Sequence, residues 1–253
     1  MAQKSGKEQI IEIYRNSRMK LVPAKRGMGA PGLIFIFREH FEDEIHWCID
    51  RFLRKGDKCF DIGANVGVWS LLMAEKCGDN GKVYAFEPLT RTFKNLRENI
   101  ELSAKSNVTL FQTALGVEKG IVEIFSPDDP GRSSLARENV NDSVENVAIN
   151  KLDDLWKEVG RPRISFVKMD VEGSEPLVLR GGQEFFRECR PVTACEINPA
   201  KLAPLGNKPS DILDYFGKLD YVTFQFDAGL NKLVKTENGG ADNLVFVPNE
   251  IPL

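Results

Sequence analysis

The chain alternates two hydrophobic periods. Between Glu42 and Leu53 the apolar positions Ile45, Cys48, Ile49, Phe52 and Leu53 recur at helical spacing, which predicts an amphipathic helix. Residues 58–62 form a short apolar run that ends in glycines and predicts a buried strand. Further helices are expected over 69–77, closed by Gly78, and over 90–102, where Phe93, Leu96 and Ile100 share a face. Others are expected over 151–159, 176–188 and 209–219, the last with Ser210 as its cap. Strands are expected over 82–86, 108–111, 120–125, 164–169, 191–197, 221–226 and 244–247. Strand alternating with helix at this spacing builds βαβ units, hence an α/β fold on a mostly parallel sheet. The last two strands have no strong helix between them and predict an antiparallel pair at one edge. No linker divides the pattern, so one domain is expected over 42–253 behind an N-terminal extension over 1–41.

Composition narrows the class. Of 253 residues, 42% are hydrophobic and 28% charged, the balance of a chain with a real core. The net charge of −3 argues against a protein whose main work is gripping phosphate backbones. No apolar run approaches the length of a bilayer span, and the first residues lack the apolar core of a signal peptide. The five cysteines are odd in number and contain no C-x-x-C pair, so neither a disulfide framework nor a zinc ribbon is expected. Cys59 and Cys195 sit in apolar runs and read as buried thiols, which suits a reducing, cytoplasmic location. Residues 1–26 hold seven Lys/Arg against Glu8 and Glu12, read as a solvated basic surface, and 27–32 read as a Gly/Pro loop.

The most informative segment is Asp61-Ile62-Gly63-Ala64-Asn65-Val66-Gly67, which lies between a strand and a helix. Ligands of such sheets sit beyond the carboxyl ends of the strands. Gly63 and Gly67 let backbone approach a ligand closely, and Asn65 tolerates a left-handed conformation. The spacing D-x-G-x-N-x-G departs from the dinucleotide fingerprint, and Asp61 at the turn would repel a pyrophosphate. A carboxylate there suits an ammonium or a sulfonium. Glu87 ends the next strand, where it can accept both hydroxyls of a ribose. Together they describe a nucleoside site without a phosphate pocket, and S-adenosylmethionine is the common cofactor of that shape; a tight turn with a helix-capping acid is the plainer alternative.

A second cluster, Asp170-Val171-Glu172-Gly173-Ser174-Glu175, follows a buried strand at the same sheet edge. Asp170 is placed to face the reacting centre. Glu172 or Ser174 would otherwise cap the next helix, with Glu175 serving its dipole. Glu196 ends another strand at this edge. A carboxylate site for a divalent cation is conceivable, but His40 and His46 both precede the sheet, so zinc is not expected. An oxidoreductase using nicotinamide lacks its turn here. A non-catalytic nucleoside binder would not need Asp170 and Glu172, and a methyltransferase acting on nucleic acid is set against the acidic balance.

The pieces FDIGANVG at 60–67, VYAFEP at 83–88, KLDDL at 151–155 and VKMDVEGSE at 167–175 resemble, in this order, the FkbM family of S-adenosylmethionine-dependent methyltransferases. Ala114-Leu115-Gly116 and PVTACEIN at 191–198 add to the likeness, which spans about residues 42–200. The resemblance implies a Rossmann-like class I methyltransferase fold, a seven-stranded mostly parallel sheet with an antiparallel edge strand. It implies O-methylation of a hydroxyl on a small-molecule acceptor, such as a sugar or secondary metabolite. The cofactor would lie over Asp61, Gly63, Asn65 and Gly67, with Glu87 on its ribose and Thr113 and Ala114 near its adenine. Asp170 and Glu172 would face the methyl group and acceptor, and the segment Arg132-Ser133-Ser134-Leu135 would either line the acceptor site or form a flexible loop. Asp170 is then the first candidate for general base, with Glu172 or Glu196 second, unless these acids hold a divalent cation that acidifies the acceptor.

Overall fold

Runs such as VYAF at 83–86 and PVTAC at 191–195 offer water no polar face, so they belong inside a sheet covered on both sides. The computed structural model describes residues 9–14, 17–21, 42–126, 133–137, 142–237 and 243–252, and it places them there. The chain begins with β1 (Gln9–Tyr14), β2 (Ser17–Leu21), α1 (Asp43–Phe52), β3 (Lys58–Ile62) and α2 (Val68–Cys77). It continues through β4 (Lys82–Phe86), α3 (Thr90–Leu102), β5 (Val108–Phe111), β6 (Ala114–Leu115), β7 (Gly120–Ser126) and β8 (Ser143–Asn150). Then come α4 (Leu152–Glu158), β9 (Phe166–Met169), α5 (Glu175–Gly181), α6 (Gln183–Cys189), β10 (Val192–Glu196) and α7 (Pro199–Leu202). The chain ends with α8 (Pro209–Lys218), β11 (Tyr221–Asp227), β12 (Lys232–Lys235) and β13 (Asn243–Pro248). His40, Arg132 and the 27–32 loop lie outside the described residues.

The main sheet runs β12-β11-β13-β10-β9-β3-β4-β5. Strands β10, β9, β3, β4 and β5 are parallel, while β13 runs antiparallel between β10 and β11. This is the expected Rossmann-like class I methyltransferase arrangement, with eight strands where seven were expected. The eighth, β12, lies at the rim antiparallel to β11. Only Leu233 in it is buried, so its pattern carried little signal. The last strand of the chain, β13, is buried inside the sheet rather than at its edge.

Side chains alternate between two cores. Cys59, Val83, Phe166 and Ala194 pack toward α1, α2 and α3. Phe60, Phe86, Val167 and Cys195 pack toward α4, α5, α6 and α8. On that second face Phe60 stacks on Phe185 at 5.0 Å and Phe86 stacks on Phe111 at 5.0 Å. All five cysteines are free, and four are buried. No helix among the described residues is long and apolar enough to cross a membrane.

Three local differences have physical reasons. The helix expected over 176–188 breaks at Gly182, whose φ of −119° leaves the helical range, and at Gly181 beside it a Cβ would lie 2.0 Å from the Gly116 carbonyl, so only the bare backbone fits there. Helix α8 begins at Pro209, and its first turn is held by Asp211, whose carboxylate accepts the Lys208 N–H at 2.7 Å; Ser210 is not the cap. Strand β7 joins β8 and β6 in a separate three-stranded sheet. Within the extension, β1 and β2 form a hairpin docked on α3: the Lys20 N–H bonds Asn99 Oδ1 at 3.0 Å, and the Arg18 N–H bonds Ser103 Oγ at 2.9 Å.

Candidate active site

Strands β3, β4 and β9 are neighbours, so the loops that leave their carboxyl ends converge. They open onto a cavity of about 730 Å³, counting its solvent-open mouth. Gly63, Asn65, Glu87, Thr113, Ala114, Asp170 and Glu172 all line it, and Leu89, Ile124 and Leu135 supply apolar wall. The two segments singled out in the sequence therefore share one cavity. Ser133 and Ser134 also stand on its wall, and Ser134 Oγ donates to the Glu172 carbonyl at 3.0 Å.

The glycine turn is built on contacts that only glycine allows. At Gly63 φ is +77°, and a Cβ would lie 1.8 Å from the Asp170 carbonyl oxygen. The Asp170 N–H donates to the Ile62 carbonyl at 3.0 Å, so turn and acidic loop form one unit. Asn65 takes a left-handed φ of 50°, as expected. Its N–H donates to Glu87 Oε2 at 3.1 Å, while Leu89 N–H donates to Glu87 Oε1 at 3.0 Å. Each Glu87 oxygen thus keeps acceptor capacity for a hydroxyl. Burial raises Glu87 to about 7, against the pull of those two N–H groups.

Two residues expected at the ligand stand behind the wall. Gly67 caps α2, where a Cβ would meet Leu96 Cδ1 at 2.6 Å; its freedom serves helix packing. Asp61 is fully buried because its side chain points to the α2 face, where Ser70 Oγ donates to it. Its register partner on β9 is Lys168. Lys168 Nζ lies 4.0 Å from Asp61 Oδ1 and donates to the Gly63 carbonyl at 2.9 Å and to Asp170 Oδ2 at 3.3 Å. Burial alone would lower the Lys168 ammonium, but Asp170, Asp61 and Glu42 outweigh it and hold it above the ordinary lysine range.

The three candidate catalytic acids come together, with oxygens of Asp170, Glu172 and Glu196 within 4.8 Å of one another. Burial opposes ionisation of Asp170, yet Lys168 and a hydrogen bond from Glu196 keep it below the usual carboxylate range. Glu196 is pushed up to about 10 by burial and by the Asp170 anion beside it. The pair therefore shares one proton, held on Glu196 at neutral pH, so Asp170 is the acceptor and Glu196 the donor. Glu172 pairs with Lys201 at 3.1 Å. Lys201 faces Glu172, and Lys168 is shared between Asp170 and Asp61, so the three acids carry both a direct proton acceptor and oxygens close enough to meet at one ion. Glu175 braces the loop, accepting the Val171 and Gly173 N–H groups at 3.0 and 3.3 Å, whereas the Ser174 side chain caps nothing.

Glu42 went unread in the sequence. It accepts Trp69 Nε1–H at 2.8 Å, and burial raises it to about 7, against the influence of Lys168 and with that of Asp170. Its only sequence signal was an acid just ahead of a helix. Lys168 carried a stronger one, a charge in the middle of a strand buried on both faces.

Known proteins resemble this chain in sequence. The model of the Methyltransferase FkbM domain matches residues 61–223. "Methyltransferase 1" of Beauveria bassiana is 31% identical over 157 residues, which cover 49% of this chain and 63% of that protein. The "31-O-demethyl-FK506 methyltransferase FkbM" of Streptomyces tacrolimicus is 30% identical over 182 residues, 59% of this chain and 68% of that one. The match thus spans just under two thirds of the first relative's length. The crystal structure of Methyltransferase FkbM from Methylobacillus flagellatus KT is 18% identical and superposes with a TM-score of 0.49 over 78% of this chain and 49% of that one.

Proposed function

The chain belongs to the FkbM methyltransferase family, and from that premise we propose that it is an S-adenosylmethionine-dependent O-methyltransferase acting on a hydroxyl of a small molecule or sugar. The observation that carries the reading is Glu87, a buried carboxylate with both oxygens steadied by backbone N–H groups on the cavity wall, facing the loop of Asp170 across one cavity. The cavity fits a nucleoside: it has a twin-acceptor carboxylate for a ribose, apolar wall from Leu89, Ile124 and Leu135, and backbone at Gly63 that no Cβ screens. The O-demethyl substrate named for the Streptomyces tacrolimicus relative supports oxygen as the acceptor atom.

When bound, S-adenosylmethionine supplies an activated methyl group on a sulfonium. The protein's own part is to align and to take a proton. Gly63 and Asn65 present backbone to the cofactor, and Thr113 and Ala114 flank the base. Asp170, about one-third exposed and ionised, accepts the proton of the acceptor hydroxyl, an effect worth about 10²–10⁴-fold. Glu196 holds its own proton and steadies the Asp170 anion by hydrogen bonding. Glu172, tied to Lys201, shapes the acceptor side. Asp61 and Gly67 act from behind, one through Lys168 and the other by seating α2. Incubation with methyl-labelled S-adenosylmethionine and a panel of sugars and alcohols tests the reading. Acceptor-dependent release of S-adenosylhomocysteine is expected, and label transferred to nucleic acid instead would redirect it.

A further inference from the structure

A lysine on a strand with both faces covered needs compensation, because an unpaired buried ammonium is strongly disfavoured. Lys168 is 4% exposed, and its ammonium donates to two oxygens, on the turn that follows β3 and on the loop that follows β9, and stands beside a third on β3 itself. One is the Gly63 carbonyl at 2.9 Å, one is Asp170 Oδ2 at 3.3 Å, and Asp61 Oδ1 lies at 4.0 Å. Parallel pairing of β3 with β9 sets Lys168 beside Asp61, so the backbone register fixes where the ammonium stands. A one-residue slip would send the two to opposite faces. Asp61 Oδ1 has no hydrogen bond, so this cation is its compensation.

We propose that Lys168 is a positioning residue that ties the glycine turn to Asp170, so that one ammonium sets both the cofactor backbone and the proton acceptor. The inference rests on the methyltransferase reading above. It goes further in making the two loops a single mechanical unit. Gly63 carries the turn whose N–H groups at 63 and 64 bond the Phe86 carbonyl, next to Glu87. Tension at the Gly63 carbonyl therefore reaches both the ribose acceptor and the turn. Without Lys168, the Gly63 carbonyl loses its donor and Asp170 loses the cation that keeps it ionised. A residue that only neutralised Asp61 for folding would give the sheet stability without setting the turn.

The test titrates S-adenosylhomocysteine by calorimetry into the full chain and its variants K168M, K168R and D61N/K168M, with hydrogen exchange read by peptide. The double variant removes both buried charges together, so a folded form without the ammonium remains available if K168M alone does not fold. Loss of one charge-assisted hydrogen bond predicts affinity weakened about 10- to 100-fold in the variants without the ammonium. Exchange is expected to quicken only in peptides covering 61–67 and 168–175, and K168R, which keeps the charge, recovers part of both effects. Wild-type affinity in D61N/K168M overturns the proposal, and so does exchange that quickens uniformly across the sheet. If the wild-type protein ignores S-adenosylhomocysteine, the methyltransferase reading falls, and the inference falls with it.

Discussion

Replacing Gly63 by alanine probes the contact on which the site is built. The new Cβ would lie 1.8 Å from the Asp170 carbonyl oxygen, whereas ordinary contact begins near 3.4 Å, so the two loops must part by about 1.6 Å. Neither partner is a flexible side-chain end; both are backbone at the carboxyl ends of adjacent strands. Parting them breaks the Asp170 N–H to Ile62 bond and the Lys168 bridge to the Gly63 carbonyl. A lost backbone bond, a lost charge-assisted bond and a positive φ for alanine together cost about 4 kcal/mol. Part of that cost falls on folding and part on ligand affinity, since the displaced backbone is cavity wall. Gly56 is the control: its φ of +89° is equally unsuited to alanine, but nothing lies within 4 Å of a Cβ there. Gly56→Ala should cost about 1 kcal/mol of stability and leave binding untouched. Gly63→Ala should weaken S-adenosylhomocysteine binding by about 100-fold and lower the urea midpoint further than the control does. Calorimetry and urea titration on both variants decide it. If the two behave alike, the packed contact between the loops does not exist.

Other perturbations separate the remaining roles. Glu87→Gln turns an amide N–H₂ toward the Asn65 or Leu89 N–H, so S-adenosylhomocysteine should bind about tenfold or more weakly; unchanged affinity removes Glu87 from the ribose. Asp170→Asn should lower turnover by about 10²–10⁴-fold while cofactor affinity stays within a few-fold, measured by single-turnover and calorimetry. Burial raises Glu175 from 4.5 to about 7 in the folded chain, so its stabilising contribution is full below pH 4.5 and lost as pH rises through 7. Glu175→Gln should therefore flatten the fall in urea stability between pH 5 and 8, by up to about 3 kcal/mol. Turnover should survive a chelator if Asp170 takes the proton directly; a large loss restored by magnesium would mean that Asp170, Glu172 and Glu196 hold a cation instead.

Strands β3, β4, β9 and β10 were legible because each is apolar on both faces and closed by a sharp polar or glycine signal. Strands β8 and β12 were not, since one side of each faces water and a half-wet strand of mixed residues carries little periodicity. The need for Gly181 beside the break between α5 and α6 was hidden for another reason: the Gly116 carbonyl that forces it lies 65 positions earlier. The site divides the same way. Residues at strand ends, such as Glu87 and Asp170, can be placed by the rule that ligands gather there. Depth cannot be read from a strand end, and so Asp61 was expected at the ligand although its side chain turns into the core. Protonation is equally hidden. Glu196 looks like a base in sequence, and burial together with the neighbouring Asp170 anion makes it a proton holder. Lys168 and Glu42 gain their roles from neighbours more than a hundred positions apart, Gly63 for one and Asp170 for the other.

The central claim is that one cavity takes a sulfonium nucleoside between Gly63 and Asp170. A co-crystal structure with S-adenosylhomocysteine measures this most directly. The account predicts ribose hydroxyls on Glu87 and the sulfur on the Asp170 side of the cavity. A nucleoside seated elsewhere, or a ribose that leaves both Glu87 oxygens untouched, would contradict it.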